Sequence, residues 1–229
     1  MCTRGSNRAP ARGPSASPLA GTMKRFTLAF ATLAMSALAG CPVTQLNRLP
    51  ESSPLPHPKP IPVLGDFRHA PSGYIFPAQV EAFQRVTILQ YDTAGLDVSA
   101  GYNASLPECP IVLTIYVFPT PRMSFIGADP DVVRSLESGW LDHAYNAAKR
   151  EILQAHADAV LKGEDARVQD GGPGKKAVYA IGNTESDLYV FVVHHSWFLE
   201  YRATYSGSCS ERAHQVIDAF YKAWGGRAS

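Results

Sequence analysis

The 229-residue chain predicts an α+β fold, an antiparallel sheet of about seven strands packed with a long central helix and a C-terminal helix. Three observations carry this. Apolar runs of strand length stand on both sides of one long helical pattern. The run 111–118, IVLTIYVF, is apolar on both faces, so the sheet is expected to be covered on both sides there. The chain then closes on an apolar stripe at helical spacing.

The elements follow in order. The folded part begins near Gly73. Residues 86–91 read as a strand, Asp92-Thr93-Ala94-Gly95 as turn chemistry, and 96–103 as the returning strand. Leu106-Pro107-Glu108-Cys109-Pro110 is a loop before the strand 111–118. Asp129 is an N-cap with Pro130 at the first helical position. Leu141, Ala144, Ala148, Ile152, Ala155 and Ala159 recur at helical spacing, and Lys162-Gly163 reads as the stop. One helix over 130–162 would run about 50 Å, longer than a small domain is wide, so a break is expected near Ser138-Gly139. Strands over 166–169 and 177–182 flank the loop Gly171-Gly172-Pro173-Gly174. Residues 188–193 and 198–205 form a hairpin whose turn holds His194-His195-Ser196. Ser208 and Glu211 make a capping box for the last helix. Its stripe is Ala213, Val216, Ile217, Phe220, Tyr221 and Trp224, and Gly225-Gly226 ends it. This element order is similar to the PsbP/Mog1-like sandwich group, a fold analogy that carries no function.

The start of the chain speaks to location. Met23-Lys24-Arg25 precedes an apolar run from Phe26 to Ala37, too short to cross a bilayer, and Leu38-Ala39-Gly40-Cys41 follows. This string resembles the signal peptide and lipobox of bacterial lipoproteins. The resemblance implies cleavage before Cys41, lipid on Cys41, and a protein anchored to a membrane. Pro42 stands where an aspartate would suggest inner-membrane retention, so the expected site is the outer membrane, periplasmic face. Residues 1–22 fit no element, and Met23 is the expected true start, making 1–22 a non-native leader and 23–40 the signal. Residues 41–72 hold eight prolines and read as an extended tether, expected to lack contacts with the domain from about residue 42 to 65, leaving 73–229 as one domain.

Five of the 21 Lys+Arg lie in residues 1–40, so residues 41–229 carry 16 against 20 Asp+Glu, a net charge of −4. That balance offers no basic patch for nucleic acid. Cys109 and Cys209 remain once Cys2 and Cys41 are set aside. Outside the cytoplasm such a pair is expected as a disulfide. If strands 111–118 and 198–205 run antiparallel, the start of one meets the end of the other, with the Cα atoms under about 7 Å apart.

No motif for catalysis, metal or cofactor stands out. The Gly171–Gly174 loop has Gln169 where a phosphate loop needs Gly and Lys176 where it needs Ser or Thr. Tyr145 and Lys149 match a dehydrogenase spacing but no glycine fingerprint precedes them. His194 and His195 point to opposite faces of a strand, and His143 and His156 are thirteen apart. Ser196 and Asp187 could join a histidine only through space, and no nucleophile elbow occurs. Trp197, Phe198, Tyr201, Tyr205, Phe220, Tyr221 and Trp224 read as core, or as an aromatic groove for a lipid, glycan or protein. The expected function is an accessory or protein-binding module on an envelope lipoprotein. A small-ligand carrier is the alternative, an enzyme with an unrecognised site the third, and the oligomeric state stays open.

Overall fold

A computed structural model describes residues 50–122, 125, 127–169, 172–194 and 196–224. The signal segment and Cys41 lie outside them. The fold is α+β, as the sequence predicts. Its elements are β1 (Pro54–Pro60), β2 (Phe67–Arg68), β3 (Ile75–Phe76), β4 (Gln79–Val80), β5 (Phe83–Asp92), β6 (Val98–Ala104), β7 (Ile111–Pro119), α1 (Pro130–Ala155), β8 (Val160–Gln169), β9 (Gly172–Ile181), β10 (Thr184–Val193), β11 (Trp197–Ser206) and α2 (Ser210–Trp224). A nine-stranded sheet runs β1-β5-β6-β7-β11-β10-β9-β8, with β4 paired to β5, and β2 pairs with β3 apart from it. All its pairs are antiparallel.

Strand alternation sends two sets of side chains to opposite faces. On one face Val98, Ala100, Tyr102, Leu113, Ile115, Val117, Tyr189, Phe191, Leu199, Tyr201 and Ala203 form the larger core beneath α2. On the other, Leu188, Val190, Val192 and Phe198 pack under Leu141, Tyr145, Ala148 and Ile152 of α1. β10 is buried from Glu185 to Val193, so both its faces are covered. β7 is covered less evenly, since Val112 is 53% exposed.

The expected tether is corrected by the structure. Residues 54–72 belong to the domain: β1 pairs with β5, and Phe67 and His69 pack inward. Proline removes a donor from a strand, which an edge strand tolerates where that donor would face solvent. Ile61 N donates to Ile88 O at 3.0 Å and Thr93 N to Ser53 O at 2.9 Å. The odd-numbered residues at both ends of β1 therefore turn their backbone groups to β5, and Pro54 and Pro60 turn theirs to the free edge. Beyond β1, side chains hold an otherwise irregular segment by its carbonyls. Arg85 donates to Phe76 O and, at 2.5 Å, to Gly65 O. Tyr102 OH donates to Pro77 O at 3.0 Å, and Trp224 Nε1 to Ile75 O at 2.7 Å. Gly73, the expected start of the domain, sits in the β2–β3 turn with φ 77°.

Three further expectations change. α1 is unbroken through Gly139, where an added Cβ would meet nothing within 4 Å. Its first turns are mostly exposed, so the whole length of the helix need not pack on the sheet and no break is required. It keeps the expected cap, Asp131 N to Asp129 Oδ1 at 2.7 Å, but ends at Ala155. Lys162 and Gly163 are then not a helix stop; they lie in β8, whose register shifts between Leu161 and Gly163. Finally, α2 begins at Ser210 after a 3-10 turn over Gly207–Cys209 whose cap is Ser206, not Ser208.

Candidate functional site

Asp187 is the most informative polar residue of the structure. It stands on β10 among apolar neighbours, on the face that α2 covers, and is 0% exposed. Its partner across β11 is Ala203, small enough to leave room beside it. Four groups converge on its carboxylate. Tyr205 OH donates to Oδ1 at 2.8 Å and Tyr189 OH to Oδ2 at 3.3 Å. Lys176 Nζ and His214 Nε2 each lie 3.2 Å from Oδ2. His214 Nε2 is also 2.8 Å from the Tyr205 oxygen. Since the Tyr205 hydrogen points at Asp187, its oxygen accepts from His214.

Each group arrives by simple register. Tyr189 is two residues along β10, on the same face, and pairs with Lys176 of β9. The Lys176 ammonium lies 4.9 Å from the Tyr189 ring centroid, a cation–π contact beside the ion pair. His214 follows the buried Ala213 on α2. Glu185, next along the same face, takes hydrogen bonds from Lys162 and, at 2.8 Å, from Ser210 Oγ. Burial alone would raise the Glu185 pKa, but the Lys162 and Ser210 bonds and the nearby Lys162 and His214 charges hold it below the ordinary range. Burial first, and the Asp187 charge second, push Tyr189 and Tyr205 up. Both tyrosines therefore stay protonated at neutral pH and act as donors. A solvent-open cleft of about 470 Å³ lies beside Glu185, lined by Gly182, Asn183, Thr184, Ser206 and Ser208.

A second polar group lies on the α1 face. Arg202 sits between Glu200 (2.5 Å) and Glu151 of α1 (2.6 Å), with its guanidinium 5.3 Å from the Tyr116 ring centroid. Burial would lower the Arg202 pKa, yet Glu200 and its other partners raise it, so its charge is permanent. These contacts join β11 to α1.

The residues singled out from the sequence fall as follows. Cys109 and Cys209 are bridged, with S–S 2.11 Å and Cα–Cα 5.8 Å. Their placement follows from the antiparallel β7–β11 pair, where Ile111 faces Tyr205. Tyr145 and Lys149 both bind Glu164 of β8, and Tyr145 OH also donates to Lys176 O at 2.9 Å, a join between α1 and β8–β9. Ser196 and Asp187 stand toward opposite ends of the β10–β11 hairpin, so no triad forms. His194 is a turn residue with φ 50°. His195 and Gly171 lie outside the described residues. Gly174 faces Phe191, whose Cδ1 would be 2.1 Å from an added Cβ. Trp197, Tyr201, Tyr205, Phe220 and Trp224 are core, Tyr221 is half-buried against them, and Phe198 packs on the α1 side. Among the described residues, no three His, Cys, Asp or Glu are grouped to hold a metal.

The sequence reading missed Lys176, His214 and His69. Asp187 carried a signal: with Glu185 it alternates onto the inward face at the start of β10, and a buried acid needs partners. His69 was hidden by the tether reading. It is 2% exposed, with Nε2 2.7 Å from Gly95 O and Nδ1 2.6 Å from Ser72 Oγ. A carbonyl only accepts, so Nε2 carries the hydrogen and Ser72 donates to Nδ1.

No protein-family model matches the chain, and no curated protein sequence does. Among solved structures, the solution structure of cyanobacterial PsbP (CyanoP) from Synechocystis sp. PCC 6803 is similar. It covers 69% of this chain and 89% of its own, at 14% identity and a TM-score of 0.37. A likeness of that degree carries no argument about function.

Proposed function

We propose that the chain is an exported lipoprotein, anchored through Cys41, whose domain is a non-catalytic binding module facing the periplasm. One observation carries the preference for binding over catalysis. The carboxylate of Asp187 is already engaged by the Tyr205 and Tyr189 hydroxyls and the Lys176 ammonium, with His214 Nε2 3.2 Å away, and the tyrosines beside it are locked as donors. A general base needs a free lone pair within reach of a substrate proton. A saturated, buried carboxylate supports a structural joint between α2 and the sheet instead. The sheet meanwhile keeps open surface. α1 lies across β9 and β10, and beyond it Val86 and Val112 stand 59% and 53% exposed. The test is cross-linking in intact envelopes followed by capture of the wild type and of Val112→Lys. A partner cross-linked by the wild type and lost in the variant is the expected result. Full cross-linking in the variant, or none in either, counts against this surface and this reading.

A further inference from the structure

We propose that the end of the sheet where β5 and β7 finish faces the lipid surface, held there by a short tether. The inference rests on the lipoprotein reading above and deepens it.

The sequence suggests a tether of about thirty residues, which would leave the domain free to turn. The structure shortens it. Pro50, Ser52 and Ser53 are clamped to the end of β5 and to the loop after β7. Arg122 Nη2 donates to Pro50 O at 2.7 Å, and Ser52 Oγ to Asp92 Oδ2 at 2.5 Å. Ser53 N donates to Thr93 Oγ1 at 3.1 Å, and Ala94 N to Ser52 Oγ at 3.3 Å. With Thr93 N to Ser53 O, these fix where the chain leaves the domain. From Cys41 to Pro50 there are nine residue steps. Fully extended they span about 30 Å, and as a flexible coil about 15–18 Å on average. β5, ten residues long, runs about 34 Å away from that point. The tether is thus no longer than the sheet is deep.

The geometry puts the Asp92–Gly95 turn and the exposed Pro121 and Arg122 nearest the bilayer. The cleft beside Glu185, at the other end of the strands, points away from it.

The test uses the full chain, expressed with lipid attachment and reconstituted in phosphatidylethanolamine–phosphatidylglycerol vesicles carrying a headgroup energy acceptor. Pro121→Cys and Asn183→Cys are each labelled with a donor dye; Cys109 and Cys209 are bridged, Cys41 is lipidated and Cys2 is removed by the cleavage before Cys41, so only the new thiol reacts. Energy transfer several-fold higher from position 121 than from 183 is expected. Equal transfer, or more from 183, overturns the orientation. A flexible insertion of about twenty residues after residue 45 should collapse the difference; a difference that persists overturns the short tether as its cause. Mass spectrometry of the same sample separates the two readings. Absence of lipid on Cys41 removes the lipoprotein reading itself, whatever the transfer shows.

Discussion

Asp187→Asn tests whether the buried cluster is the joint between α2 and the sheet. The change keeps volume and leaves an oxygen for Tyr205 OH, but removes the charge facing Lys176 and His214. Removing one partner of a buried ion pair costs about 3–5 kcal/mol. Lys176 retains its cation–π contact with Tyr189, and its side chain is 11% exposed, so the lower end applies, about 3 kcal/mol. For a domain of this size each kcal/mol shifts Tm by about 2–4 °C, so a fall of about 6–12 °C is expected by circular dichroism. Lys176→Met added to Asp187→Asn should cost less than the two single changes summed, because the second removal strands no cation. A Tm within about 1 °C of wild type for Asp187→Asn, or strict additivity in the cycle, would refute the argument.

Two further outcomes follow from the packing and titration. Gly174→Ala drives a methyl into the Phe191 ring, which is 4% exposed, stacked beside Tyr189 and edge-on to Tyr201. Overpacking of this kind costs about 1–3 kcal/mol, and Phe191→Leu in the same chain should recover part of it; no loss of denaturant midpoint in Gly174→Ala would contradict the close approach. His69 is held neutral, its pKa lowered from 6.5 chiefly by burial. The unfolded chain takes up that proton at higher pH than the folded one, so stability is full above about pH 6.5 and falls as pH drops through the window below it. Melting at about pH 7.5 and about pH 5.5 should show a larger acid loss for wild type than for His69→Gln; an equal loss would mean that His69 is not titrating against the fold. Glu164 and Glu185, both lowered, lose their contributions only at lower pH and do not enter this window.

The legible parts of the fold were those whose signal is local. β7, β10 and β11 announce themselves by apolar runs, and α2 by a stripe of which Ala213, Val216, Ile217, Phe220 and Trp224 are buried and Tyr221 is half-buried against them. The disulfide was legible because two local facts, a cysteine before one strand and a cysteine after another, become one spatial fact once the strands are antiparallel. What escaped depends on partners far along the chain. β1 has no apolar run; it exists because β5 offers an edge, thirty residues on. Asp187 draws Lys176 from β9, Tyr205 from β11 and His214 from α2, and no spacing rule links those numbers.

The prolines of β1 show why composition misled at this point. Proline excludes a helix and a central strand, and from that the step to an unstructured tether is short. Yet the same missing donor is harmless on a strand whose outer side has no neighbour, and it leaves that edge poor in groups to which another chain could pair. At the opposite edge β8 carries Val160 and Val168 at 63% and 77% exposed, with Lys162, Glu164, Asp165 and Arg167 between them. Those charges are engaged with Glu185, Lys149 or one another. One edge of the sheet is thus blunted by removing donors and the other by charged side chains, two solutions to the same hazard. Neither device shows a strand's period: β8 reads Val-Leu-Lys-Gly-Glu-Asp-Ala-Arg-Val-Gln, of which only 166–169 is legible as strand, and the row of prolines hides β1 altogether.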